Sequence, residues 1–208
     1  MNVILYGATG KSGVRILTEL LSRGHNVTAV ARNPTGLPTG VKTVKDDLSD
    51  VNNIAAVISG TDAVISAYAP PPDDTDQLLG VTERQIEAVR RVGKNTRLIV
   101  VGGAGSLEVA PGVTILQSGH LPAEWIPIAT SHEKALELLK KSDINWTYFS
   151  PAGFFEPGER TGKFRLGTNQ LIADAQGNSR ISMEDYAIAL VDELEKPSHQ
   201  RARFTIGY

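Results

Sequence analysis

A chain of 208 residues, 41% hydrophobic and 21% charged, can bury one sizeable core and fits a single α/β domain. Its net charge of -2 gives no general pull toward nucleic acid or an anionic membrane, so small-molecule partners are expected, with the chain a monomer or homodimer. The absence of cysteine excludes thiol catalysis, disulfides and cysteine-ligated metal; no apolar run spans a bilayer or reads as a leader, and a cytoplasmic protein with no metal site is expected.

The first stretch organises the rest. Val3 to Tyr6 is a short apolar run that reads as a buried parallel strand, and Gly7, Gly10 and Gly13 follow at G-x-x-G-x-x-G spacing. Val14 to Arg23 then reads as a helix, with Val14, Leu17, Leu20 and Leu21 on its inward stripe and Gly24 as its stop. Strand, glycine turn and helix together predict a phosphate cradle, because glycine lets the backbone approach a pyrophosphate and the helix start favours its charge. Gly7, Thr9, Gly10, Lys11, Ser12 and Gly13 are its candidate residues. The run Gly10-Lys11-Ser12 imitates the end of an ATP-binding P-loop, but that loop needs a glycine where Leu5 stands.

Val27 to Ala31 is the second strand and ends at Arg32. An acidic residue at this point would hold the ribose hydroxyl of NAD, whereas an arginine can meet the 2′-phosphate of NADP, so Arg32 tilts the reading toward NADP(H). Val41 to Lys45 is a third strand leading into Asp46-Asp47-Leu48. Asp47 and Leu48 are placed to line an adenine; equally, Asp47 or Ser49 could cap the helix from Asp50 to Ser59. A fourth strand, Asp62 to Ala67, runs into Tyr68 and three prolines, Pro70 to Pro72.

Asp73, Asp74 and Asp76 load the start of the next helix, which runs to about Gly93 with Val81, Ile86, Val89 and Val92 inward. Its Arg84, Arg90, Arg91 and Lys94 read as a solvated face. Leu98 to Val101 is a fifth strand emptying into Gly102 to Ser106, where small residues leave room for a ligand. Residues 107 to 130 read as a long irregular loop, followed by a helix from Ser131 to Lys141 and a sixth strand from Trp146 to Ser150. Phe154 and Phe155 then sit on a loop rich in proline and glycine, either plugging the core or lining a flat aromatic ligand. Phe164 to Leu166 and Leu171 to Ala173 suggest a small hairpin, Ser182 to Asp185 a capped helix start, and Phe204 to Ile206 a last strand. The alternation predicts a single-domain, doubly wound parallel sheet of Rossmann type, with 151–181 as a small substrate-side insertion.

The turn Gly7 to Gly13 resembles that of atypical short-chain dehydrogenases/reductases. The blocks Val101 to Ser106, Ser150 to Gly162 and Ser182 to Ala187 are similar to those of the NAD(P)H–flavin reductase group, related to the biliverdin/flavin reductases. The similarity spans essentially the whole chain. It implies NAD(P)H binding, a sheet of order 3-2-1-4-5-6-7, and hydride transfer to a flavin (FMN or FAD) or quinone-like acceptor.

Short-chain dehydrogenases of the usual kind use a serine after strand five and a Tyr-x-x-x-Lys on the next helix to move a proton. The corresponding helix here reads His132-Glu-Lys-Ala-Leu136, and Ala104 stands at the serine position with Ser106 two residues on. Flavin reduction tolerates this, since hydride goes to N5 and water can supply the proton. His132 and Ser106 are the candidate catalytic residues; His132 is either a polar residue of the helix's first turn or a proton donor titrating near neutrality. Ala67 and Gly102 would line the ribose and nicotinamide edge, and Phe154, Phe155 and Tyr68 the acceptor. Two other functions remain open: a non-catalytic NADP(H) sensor, and a nucleotide-sugar epimerase-like enzyme.

Overall fold

The computed structural model describes residues 1–93 and 96–208, so Lys94 lies outside the described residues. Strands β1 (Asn2–Tyr6), β2 (Asn26–Ala31), β3 (Lys42–Lys45), β4 (Ala63–Ser66), β5 (Arg97–Val101), β6 (Trp146–Ser150), β7 (Arg165–Gly167) and β8 (Ala202–Gly207) form one sheet. Its order is β3-β2-β1-β4-β5-β6-β8-β7, parallel throughout except for β7, which lies antiparallel on β8. Among the described residues five α-helices cover it: α1 (Lys11–Ser22), α2 (Val51–Ile58), α3 (Gln77–Val92), α4 (Ile126–Lys141) and α5 (Met183–Glu195). This is the expected Rossmann-like α/β domain, with one antiparallel edge strand added.

Strand periodicity distributes the core. Val3 and Leu5 point to the face covered by α1 and α5, where they meet Ile16, Leu17, Leu20, Tyr186 and Leu190. Ile4 and Tyr6 point the other way, into a layer with Ile54, Val89, Leu136 and Tyr148 from α2, α3, α4 and β6. Both faces are therefore buried, which is why the strands read as continuous apolar runs.

Several boundaries differ from the sequence reading. The α1 stripe is carried by Ile16, Leu17 and Leu20, while Val14 is 41% exposed. Helix α3 begins only at Gln77; Asp74 lies in the preceding turn and accepts from Gln77 Nε2 at 2.9 Å. Helix α4 begins at Ile126, five residues early, because Pro127 falls in a first turn, where its missing N–H is not needed. The supposed loop before it contains a small antiparallel pair, Glu108–Ala110 with Val113–Thr114. The hairpin expected around residues 164–173 does not form. Its first half is β7, paired to the distant β8 through Leu166 and Ile206, and Leu171 instead donates its N–H to Glu108 O at 2.9 Å.

Candidate functional site

The glycine turn is built by close approach. Gly7 leaves β1 at φ 73° and donates to Val30 O at 3.0 Å; a Cβ there would lie 2.3 Å from Ala67 O. A Cβ on Gly13 would lie 2.0 Å from Gly7 O, so the first turn of α1 rests directly on the turn's backbone. Gly10 occupies the N-cap position, and no side chain caps the helix and no acid sits in its first turn. Lys11 stands there instead, exposed and without a side-chain partner among the described residues, at the end of the helix dipole that disfavours a cation. An anion seated on the free N–H groups would reverse that sign, so the cradle fits a pyrophosphate in both shape and charge.

A cleft of about 490 Å³ opens beside this turn, across the carboxyl ends of β1 to β4. It brings together Gly7, Thr9, Gly10, Arg32, Asp47, Leu48, Ala67 and Tyr68. Arg32 is exposed and makes no hydrogen bond or ion pair among the described residues. The floor is held rigidly: Leu48, buried at φ 63°, donates its N–H to Asp46 Oδ1 at 2.7 Å and receives Arg84 Nε on its carbonyl at 2.6 Å. A leucine in the left-handed region is strained, and these two bonds fix it. Arg84, read from the sequence as solvated, is thus a support of the cleft. Asp47 accepts from the Ser49 N–H at 3.0 Å, and the cap of α2 is Asp50, which accepts from Asn52 N at 2.7 Å; neither Asp47 nor Ser49 caps it.

Two residues at this cleft, Tyr6 and Asp46, each carry a buried polar atom, Oη and Oδ2, without a partner among the described residues. Burial pushes the Asp46 carboxyl up, and burial followed by the nearby Asp46 charge pushes the Tyr6 hydroxyl up. Neither was legible as a site residue, since each falls on a position that reads as ordinary strand or strand end.

Gly102 lies outside this cleft, and its smallness has another cause. A Cβ on Gly102 would lie 2.3 Å from the ring of Tyr148, and one on Gly103 would lie 2.9 Å from the Cβ and Cγ of His132. The two glycines let the β5 loop settle on those rings. Burial lowers His132 to about 4, which favours the neutral ring at pH 7 and runs against a donor titrating near neutrality. Ser106 is engaged by the chain: its hydroxyl and carbonyl both accept from Arg203 Nη1, at 3.0 and 2.9 Å, which anchors the loop.

Phe154 and Phe155 also lie away from the cleft. Phe155 is half-buried and tilts against Tyr186 at 4.7 Å between ring centroids, a core plug as one of its two readings had it. Phe154 is 66% exposed and lines a separate groove of about 880 Å³ with Pro157, Lys163, Arg180 and Tyr208. The adjoining Pro157 to Gly162 block forms a clasp. Arg160 forks onto Glu19 of α1 at 2.9 to 3.1 Å, and Ser182 Oγ donates to Glu159 O at 2.7 Å. Thr161 Oγ1 and Gly162 N donate to Asp185 at 2.5 and 2.8 Å. Ser182 does cap α5, accepting from Asp185 N at 3.0 Å, but the Asp185 carboxylate serves the clasp instead of returning a bond to the cap.

A family model described as NAD(P)H-binding matches residues 7–197. Three solved structures align over the full length of the chain. A Burkholderia pseudomallei protein, proposed to be exported, is 44% identical over all of both chains with a TM-score of 0.92. A Bacteroides thetaiotaomicron protein, proposed to be an epimerase, is 42% identical with a TM-score of 0.91, covering 100% of this chain and 96% of that one. A Streptococcus pneumoniae protein, proposed to be an NADH-flavin reductase, is 35% identical with a TM-score of 0.89, covering 100% and 99%. Among the described residues no helix is long and apolar enough to cross a membrane.

Proposed function

We infer the function from one premise: this chain belongs to the NAD(P)H-binding family. Within it we propose a reductase that prefers NADP(H) and passes hydride to a flavin or quinone-like acceptor. The observation that carries the cofactor half is a pair of cations without protein partners, Lys11 and Arg32, beside an uncapped helix start and a glycine cradle that a single Cβ would fill. The acceptor half is supported by the similarity to the Streptococcus pneumoniae protein and by a helix that reads His132 to Leu136 where carbonyl-reducing relatives carry Tyr-x-x-x-Lys.

Bound NADPH supplies the hydride. The chain's own residues do the placing: Gly7, Gly10 and Gly13 admit the pyrophosphate, the first N–H groups of α1 bind it, and Lys11 neutralises it. Arg32 takes the 2′-phosphate, Asp47 and Leu48 line the adenine, and Ala67 and Tyr68 flank the ribose and the nicotinamide edge. Rate enhancement then rests on holding two flat rings in register, with water as the proton source. Cytoplasmic location, a small-molecule partner and a monomeric or homodimeric state complete the proposal.

Purified protein given NADPH and FMN under air tests it. Oxidation of NADPH well above the protein-free rate is expected. Tight NADPH binding without turnover would replace the reductase by a sensor of NADP(H), a reading favoured by the engagement of Ser106 with Arg203.

A further inference from the structure

The double glycine after β5 covers a hydrogen-bonded unit made of Tyr148 and His132. Three contacts meet at one hydroxyl. Gly103 N donates to Tyr148 Oη at 3.0 Å, Tyr148 Oη lies 3.0 Å from the His132 carbonyl oxygen, and His132 Nδ1 lies 3.2 Å from the same Oη. The hydroxyl has one proton to give. A carbonyl oxygen can only accept, so the proton goes to His132 O; otherwise two oxygen lone pairs would face each other at 3.0 Å. Nδ1 must then be the donor in its own contact, and the remaining lone pair of the neutral ring sits on Nε2. Nε2 has no partner among the described residues, and His132 is only partly buried.

We propose that Tyr148 is a positioning residue that locks His132 in its Nδ1–H tautomer, leaving Nε2 as a hydrogen-bond acceptor for an N–H or O–H of the molecule that takes the hydride. This rests on the reductase reading for the identity of that molecule, and the imide N–H of an isoalloxazine is a donor of the required kind. The role differs from that of an acid: His132 recognises the acceptor and gives it no proton. The neighbours agree. Among the described residues no carboxylate contacts the imidazole; the charged groups acting on the unit are Glu133 of α4 and Arg203 of β8, both through Tyr148, and burial favours the neutral ring. The glycines make the lock possible, since any side chain at 102 or 103 would push the two rings away from the loop.

Nitrogen-15 NMR of the histidine rings tests the lock without any turnover. The chain has four histidines, and the His132 signals are those lost in His132→Leu. The wild type should show a protonated Nδ1 and a bare Nε2 that do not titrate between pH 5 and 8, and Tyr148→Phe should lose that fixed preference. An Nε2–H tautomer, or a midpoint near the ordinary histidine value, overturns the proposal. Adding FMN with NADP⁺ should move the Nε2 signal while NADP⁺ alone should not; a signal that stays put removes the ligand contact. His132→Leu should raise KM for FMN about tenfold with NADPH affinity unchanged, the size expected for one lost hydrogen bond. If NADPH is not oxidised with FMN at all, the reductase reading fails while the tautomer result stands by itself.

Discussion

The two ends of α1 face differently equipped neighbours. Toward its C-terminus, Glu19 is buried and accepts from both Arg160 of the clasp and Arg23, and Arg23 goes on to Asp192 and Glu195 of α5. Toward its N-terminus, Lys11 has no side-chain partner among the described residues, the first turn holds no acid, and Arg32 across the cleft likewise makes no hydrogen bond or ion pair among them. In the clasp Glu19, Arg160 and Arg23 answer one another and Arg23 reaches on to α5, which fixes α1 against α5. In the cleft the answer has to come from outside. One exposed lysine is ordinary, but a lysine at the wrong end of a helix dipole, beside a cradle that excludes even a methyl group, is a cost that an anion would remove. The contrast separates residues that hold the fold from residues that hold a ligand.

Gly13→Ala breaks the cleft side most severely. The new Cβ falls 2.0 Å from a backbone oxygen, which no rotamer can relieve, so α1 must shift off the turn. A loss of about 3 kcal/mol in stability is expected from thermal or urea unfolding, together with loss of measurable NADPH binding by fluorescence titration. Retained affinity would show that the turn does not hold the pyrophosphate.

Glu19→Gln breaks the clasp side. Burial pushes the Glu19 carboxyl up, but the bonds from Arg160 and Arg23 outweigh it and hold it below the ordinary value of 4.5. The variant should lose about 2 kcal/mol, discounted because Arg160 is largely exposed. Because the folded carboxyl is the stronger acid, this stabilisation is complete above the unfolded value and fades as pH falls through the folded one, so wild type and variant should converge under acid. NADPH affinity should stay within about twofold; a larger change would join the two regions that the comparison separates.

The sequence made the cleft legible and the clasp obscure, for a physical reason. The cradle is local: strand, glycines and helix start lie within residues 3 to 23, and Arg32 follows at the next strand's end, so spacing alone finds them. The clasp joins Glu19 to Arg160 and Asp185 to Thr161, pairs whose partners no periodicity links. The same distance effect hid β7, whose partner β8 comes after α5. Gly102 and Gly103 show a further limit, since small residues at a strand end signal close approach without saying from which side. Here Tyr148 and His132 are the bodies that approach.

Arg32→Ala sharpens the comparison with the smallest effect. Nothing in the protein loses a partner, so stability should change by less than about 0.5 kcal/mol, in contrast to Glu19→Gln. If Arg32 meets the 2′-phosphate, the Kd for NADPH should rise about tenfold while that for NADH stays level, since only NADPH carries the extra phosphate. The affinity ratio is the informative quantity: it cancels any general disturbance of the cradle, which would weaken both cofactors alike. An unchanged ratio would make Arg32 an ordinary solvated charge and return the choice between the two cofactors to Asp47, Ser49 and the rest of the adenine end.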